Sequence, residues 1–163
     1  MVPYLIREMR LPSVYHTTMR PIPRFALALF ILSLTGCSTF EVRYQAALAN
    51  RAPSGVEGAW EGRWESQGRH GGDRLRAVVV ARSPQVLHVV FRAHFWGIFD
   101  IDEEVDLNVT GTSPVHAAGQ ADLGYFKGGM YEYDATITPT QFDATYKSKY
   151  DHGTFILARP KSE

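Results

Sequence analysis

The sequence predicts an all-β domain, an eight-stranded antiparallel up-and-down barrel preceded by a short N-terminal helix. Three observations lead there. From Gly58 onward apolar and polar residues alternate with a period of two, as half-buried strands require. Clusters of Gly, Pro, Ser, Thr and Asp break the alternation at roughly eight- to twelve-residue intervals. Each long run has one clean apolar face, so the sheet is wet on one side and packed on the other. Eight meandering strands of this kind close most simply on themselves, which also removes exposed edges.

The helix is read first. Ser38 or Thr39 is placed to cap it and Glu41 sits in its first turn. Phe40, Tyr44, Ala47 and Leu48 fall on one stripe. Arg51-Ala-Pro-Ser-Gly55 ends it. The segment is either a spacer or a helix that docks on the domain or lies at a membrane surface.

The strand runs follow as Gly58–Ser66, Arg74–Arg82, Gln85–Trp96, Ile98–Thr110, Val115–Asp122, Met130–Thr138, Gln141–Lys149 and Gly153–Arg159. The links are short, and short links give antiparallel neighbours. Leu75, Ala77 and Val79 share an inner face. So do Leu87, Val89, Phe91, Ala93 and Phe95, then Phe99, Ile101, Val105 and Leu107, then Tyr131, Tyr133, Ala135 and Ile137, then Phe142, Ala144 and Tyr146. A slip of one residue would turn these sets outward, so parity fixes register. A turn about Gly97 pairs Phe95 with Phe99, and outside it His94 with Asp100, Arg92 with Asp102 and His88 with Asp106. A turn at Pro139-Thr140 pairs Ile137 with Phe142, Ala135 with Ala144 and Tyr133 with Tyr146. Gly124–Gly129 is an aromatic loop, either a lid or a long hairpin turn.

Ahead of the helix lies different chemistry. Arg20 and Arg24 precede a ten-residue apolar run, residues 25–34, and then Leu34-Thr35-Gly36-Cys37. A basic start, a short apolar run and a small-residue cleavage site make a secretory signal. Ten helical residues span about 15 Å, half a bilayer core, too short for a transmembrane anchor. Met19 followed by Arg20 is the more natural start. The four residues resemble the lipobox of bacterial lipoproteins. The resemblance implies that residues 1–36 are a signal peptide and that Cys37 becomes the lipidated N-terminus, carrying acyl chains such as palmitate. Ser38 stands where lipoproteins retained in the inner membrane carry Asp, which implies the outer membrane, with the domain facing the periplasm. Residues 37–57 then form the lipidated N-terminus, helix and linker, and residues 58–163 the barrel.

The formal charge of zero conceals a difference between these parts. Taking the four arginines and one glutamate of residues 1–36 from 17 basic and 17 acidic residues leaves 13 and 16, a net of −3. A mildly acidic domain without a basic patch argues against nucleic acid. One cysteine allows no internal disulfide, so packing alone holds the fold.

Gly58-Ala59-Trp60 at the head of the first strand resembles the lipocalin signature. The resemblance covers this motif and the strand count. It implies that Trp60 packs across one end of the barrel against a basic residue of the last strand, where Arg159 stands. The motif is equally read as a plain structural Trp–Arg plug that implies nothing about ligands, and a small apolar or amphiphilic ligand in the interior is a separate expectation. Inner positions Ala77, Ala93, Ala135 and Ala144 leave room for one. Glu103 falls on the inner face between Ile101 and Val105. It is a polar anchor in a ligand cavity near Phe91, Phe95, Tyr131, Tyr133 and Tyr146, or a rim residue, or a residue that a local bulge turns outward.

Other clusters read as structural. The His88, Arg92 and His94 row facing Asp100, Asp102 and Asp106 is a solvated ladder. As a set of catalytic dyads it would need a nucleophile and an oxyanion site. Asp100, Asp102 and Glu104 lie along a flat strand and do not converge on a cation. His70 with Asp73, and Asp151 with His152, are turn chemistry. No metal, cofactor or catalytic residue is expected. The expected function is a lipid-anchored ligand-binding barrel, the alternative a non-enzymatic structural or interaction protein of the envelope with a filled barrel. The expected partners are the membrane and a small lipophilic ligand.

Overall fold

The computed structural model describes residues 39–50, 55–68, 72–125 and 128–161. Residues 1–36, expected above to be a signal peptide, and Cys37, Ser38 and His70 lie outside the described residues. Among the described residues one helix, α1 (Thr39–Ala49), precedes eight strands. These are β1 (Gly58–Ser66), β2 (Gly72–Ser83), β3 (Val86–Phe95), β4 (Phe99–Thr112), β5 (Val115–Asp122), β6 (Met130–Ile137), β7 (Gln141–Lys147) and β8 (His152–Ala158). Each strand pairs antiparallel with the next, and β8 pairs back onto β1 to close the barrel.

Register follows the alternation. Phe95 faces Phe99, His94 faces Asp100, Arg92 faces Asp102 and His88 faces Asp106. Ile137 faces Phe142, Ala135 faces Ala144 and Tyr133 faces Tyr146. The register shifts between Ala81 and Ser83 in β2 and between Val109 and Gly111 in β4, both near chain turns. One expected inner residue is displaced. Phe99, the first residue of β4, is 45% exposed at the rim, because the barrel interior ends one step below it.

The two ends of the barrel differ. The chain enters β1 and leaves β8 at one end, with the β2–β3, β4–β5 and β6–β7 turns. Trp60 is fully buried there. Its indole N–H donates to the Val56 carbonyl at 3.0 Å. The Arg159 guanidinium lies 3.8 Å from the centre of its ring. Arg159 also donates to the carbonyls of Gly55 (2.6 Å), Glu57 (2.8 Å) and Pro139 (2.9 Å). We call this the plug end. The opposite end, bearing the β1–β2, β3–β4, β5–β6 and β7–β8 connections, is the mouth.

Closure depends on Gly62. A Cβ built there would stand 2.1 Å from the Ile156 carbonyl oxygen, across the β1–β8 seam. Gly62→Ala is therefore expected to cost about 2–3 kcal/mol by forcing the seam apart. A thermal melt with light scattering checks it, since an opened seam exposes two strand edges.

Helix α1 docks on the outside of the barrel. Phe40 and Tyr44 are buried with Ala59, Val78 and Val90, and Ala47 and Leu48 pack beside them. Ala59 pairs with Val78 and Val78 with Val90, so the three form one outward-facing apolar row across β1, β2 and β3. The helix is part of the same compact unit as the barrel.

Candidate functional site

The interior is built around aromatic rings. Trp60 contacts Phe142 (5.8 Å between centroids), and Phe142 stacks on Phe91 (6.1 Å). Phe91 in turn meets Tyr133 and Phe155. Tyr146 packs on Phe155 at 5.0 Å and on Tyr131 at 6.0 Å. This column runs from the plug towards the mouth. Two of the small inner residues neighbour rings across the strands, while Ala135 lies between Ala117 and Ala144. Ala77 pairs with Phe91 and Ala144 with Phe155. Ala77 and Ala135 are fully buried, so the plug half is packed.

The mouth half is looser. Ala93, Phe95, Ala121, Tyr131 and Phe155 pack against the core but are only half-buried. β5 stays against β4 beyond their last paired residues, where a Cβ on Gly119 would stand 2.3 Å from the Asp106 carbonyl oxygen. Trp64 reaches across and donates its indole N–H to the His94 carbonyl (3.1 Å), tilted against Phe95 at 4.7 Å.

Glu103 lies in this half. It pairs with Phe91, and the β3–β4 register is unbroken from Phe95–Phe99 to Val86–Asn108. No bulge turns it outward, and the side chain is half-buried between half-buried Ile101 and buried Val105. The Tyr133 phenol is pushed well above its usual range, first by burial and then by the charge of Glu103. The unbroken register gives Glu103 the parity of buried Val105 and Leu107, the inner side of the wall. The six residues expected around a ligand therefore share the interior. Phe91, Tyr133 and Tyr146 are buried, and Glu103, Phe95 and Tyr131 are half-buried.

Tyr146 marks a second polar point near the mouth. Its hydroxyl donates to Asp151 at 3.1 Å, and Ser66 donates to the other Asp151 oxygen at 2.6 Å. Burial and the Asp151 charge both push this phenol up.

The outer charged row forms as paired, and it has a use. His88 Nδ1 lies 2.7 Å from Asp106, and His94 Nδ1 lies 2.7 Å from Asp100. Arg92 donates twice to Asp102 at 2.6 Å, a bidentate pair that raises its pKa further. The Arg92 guanidinium also lies 4.4 Å from the Phe40 ring centre, and Arg76 lies over both Phe40 and Tyr44. Arg43 donates to Glu104 at 2.6 Å, and Glu41 pairs with Arg76 at 3.1 Å. Arg92 of that row, with Arg76 and Glu104 beside it, thus cradles α1. Among the described residues no three His, Cys, Asp or Glu side chains converge as a metal site.

The cradle gives a pH dependence. Hydrogen bonding from His88 holds the Asp106 carboxyl below its ordinary value, and Gln45 does the same for Glu41. A carboxylate held low in the fold stabilises it above the unfolded value, and loses that contribution as pH falls through the folded value. The melting temperature is expected to decline below about pH 4, and Asp106→Asn to flatten part of that decline. Both groups are largely solvated, so each accounts for well under about 1 kcal/mol. Melting curves between pH 7 and pH 2.5 check it.

Sequence reasoning missed the docking row. Its signal was there: the alternation fails at Val78-Val79-Val80 and at Val89-Val90, where both faces of the wall are apolar. A strand covered on both sides reads that way.

No family model, curated protein or solved structure matches the chain. The geometry of the barrel is what a functional reading has to rest on.

Proposed function

We propose that this is a lipid-anchored envelope lipoprotein whose barrel holds a small amphiphile in its mouth half. One observation carries the ligand part. Glu103 is a carboxylate on the inner wall, half-buried beside aromatic rings, in the less fully buried half of the barrel. A side chain that served only to fill the core would be apolar there, because a buried carboxylate is costly. It suits a ligand with a hydrogen-bond donor, such as an ammonium or hydroxyl group, on an apolar body. The donor meets Glu103 and the body lies on Phe95, Tyr131 and Phe155. Localisation follows from the lipobox resemblance at Leu34–Cys37, and Ser38 favours the outer membrane facing the periplasm.

Native mass spectrometry of the chain from Cys37 onward, purified without stripping, tests this. The expected result is a stoichiometric extra mass that is lost in Glu103→Gln. A bare mass, with no shift in melting temperature across a lipid panel, overturns it.

The second reading is a non-enzymatic structural or interaction protein of the envelope. The ring column from Trp60 to Tyr146 favours it, because small eight-stranded barrels are just wide enough for side chains to fill. The bare-mass outcome selects it.

A further inference from the structure

We propose that the mouth end of the barrel is a bilayer-docking face, seated on the leaflet that the Cys37 acyl chains enter. The proposal rests on the lipidation of Cys37 proposed above. Four observations point to it.

The first is the distribution of exposed apolar side chains. Trp96, Ile98, Phe99, Tyr125, Met130 and Tyr150 are each between 45% and 90% exposed, and all lie at the mouth. The other large apolar residues exposed among the described ones, Val42, Val80 and Ile156, are scattered over the helix and wall. Trp and Tyr are the side chains that favour the boundary between water and lipid.

The second is backbone strain at the tip of the β3–β4 turn. Trp96 has a φ of +52° and Gly97 a φ of +68°, the signs of a type I′ hairpin. Gly, Asn or Asp fits the first of these positions, and a bulky residue is an outlier there. Trp96 is 72% exposed and its ring meets the rim residue Phe99, edge-on at 5.6 Å. The fold gains little from an indole at that point.

The third is the direction of α1. Its first turn lies at the level of Arg92 and Arg76, through Phe40 and Glu41. Farther along, Arg43 pairs with Glu104, which stands opposite Val90 and so nearer the plug than Arg92, and the chain then enters β1 at the plug end. The helix N-terminus therefore points to the mouth. Arg92 to Phe95 climbs three residues, about 10 Å, to the rim. Phe40 back to Cys37 is also three residues and spans at most about 10 Å. A lipid on Cys37 can reach the rim level and little further, so it holds the mouth against the membrane.

The fourth is charge. A rim cleft of about 570 Å³ is lined by Tyr125, Met130 and Tyr150 together with Lys147, Lys149 and Glu132, two cations to one carboxylate. Lysines beside aromatic rings suit anionic headgroups at the lipid boundary.

The test uses the full chain, isolated from membranes and reconstituted in vesicles of phosphatidylethanolamine and phosphatidylglycerol. A spin label is placed at Trp96→Cys, and in a second sample at Thr140→Cys in the β6–β7 turn at the plug end. Accessibility to oxygen and to a water-soluble nickel complex is measured, and the mass of the N-terminal peptide is read from the same samples. The expected result is an acylated Cys37, a label at 96 in the lipid boundary and a label at 140 in water. An acylated Cys37 with both labels in water overturns docking and leaves the lipoprotein reading standing. An unacylated Cys37 overturns the lipoprotein reading, and docking falls with it unless the label at 96 still reports lipid on pelleted vesicles. Trp96→Gly separates a fold role from a docking role. In the Cys37→Ser background it is expected to keep or raise the melting temperature while lowering vesicle partitioning at least about fivefold. Unchanged partitioning, or rim-to-rim dimers that form without vesicles, overturns the proposal.

Discussion

Trp60→Ala is expected to destabilise the domain by about 4 kcal/mol, the largest effect of any single truncation in this chain. Trp60 is fully buried, and its removal empties the floor of the barrel beneath Phe142. Two further losses follow. The Val56 carbonyl loses its indole donor, and Arg159 loses the ring beneath it. The cation–π contact alone contributes roughly 0.5–2 kcal/mol. For a domain of this size the melting temperature should fall by more than about 10 °C, read by thermal circular dichroism. Arg159→Met separates the parts, since it keeps the stem over the indole but removes the donors to Gly55, Glu57 and Pro139. It should cost about half as much as Trp60→Ala.

Phe40→Ala is expected to release the helix and leave the barrel standing. Phe40 is 1% exposed and wedged against Arg92 and Arg76. Truncating a buried Phe costs roughly 3–5 kcal/mol, but only the docking free energy of α1 is available to be lost. Docking rests on two buried rings and a few surface ion pairs, so the loss should level off near about 3 kcal/mol. The measurement is hydrogen exchange. Protection across Thr39–Ala49 should collapse, while amides of β3 and β4 keep theirs. A uniform loss of protection would instead make the helix part of the barrel's own cooperative unit.

The strands were legible because alternation and parity leave few choices. Once Gly97 and Pro139-Thr140 are read as turns, every pair from Phe95–Phe99 and Ile137–Phe142 outward follows by counting. Parity also placed Glu103 on the inner wall, although it cannot exclude a bulge. The shifts in fact fall at Ala81–Ser83 and Val109–Gly111, clear of it. Three features were not legible. Small residues such as Ala77 and Ala144 suggest room, yet what fills it comes from rings on other strands, and a single strand does not show which ring meets which gap. The apolar row of Ala59, Val78 and Val90 is spread over three strands, so it appears only after register is known. The gathering of Trp96, Tyr125 and Tyr150 at one end is a property of up-and-down winding, which sends alternate turns to the same side.

Closure of the barrel also sets an order of events. Seven of the eight pairings join consecutive strands and need only a short turn to form. The eighth joins Gly62 to Leu157, 95 positions along the chain. Closing that loop costs about 2 kcal/mol more entropy than closing a ten-residue hairpin. The meander should therefore assemble first as an open sheet and join its first and last strands late. For that interval the folding chain carries two unpaired edges, and β8 is the more exposed of them, because the helix straps β1 to β2 and β3 but not to β8. Arg159, bonded to the carbonyls just ahead of β1, is the latch that ends the interval.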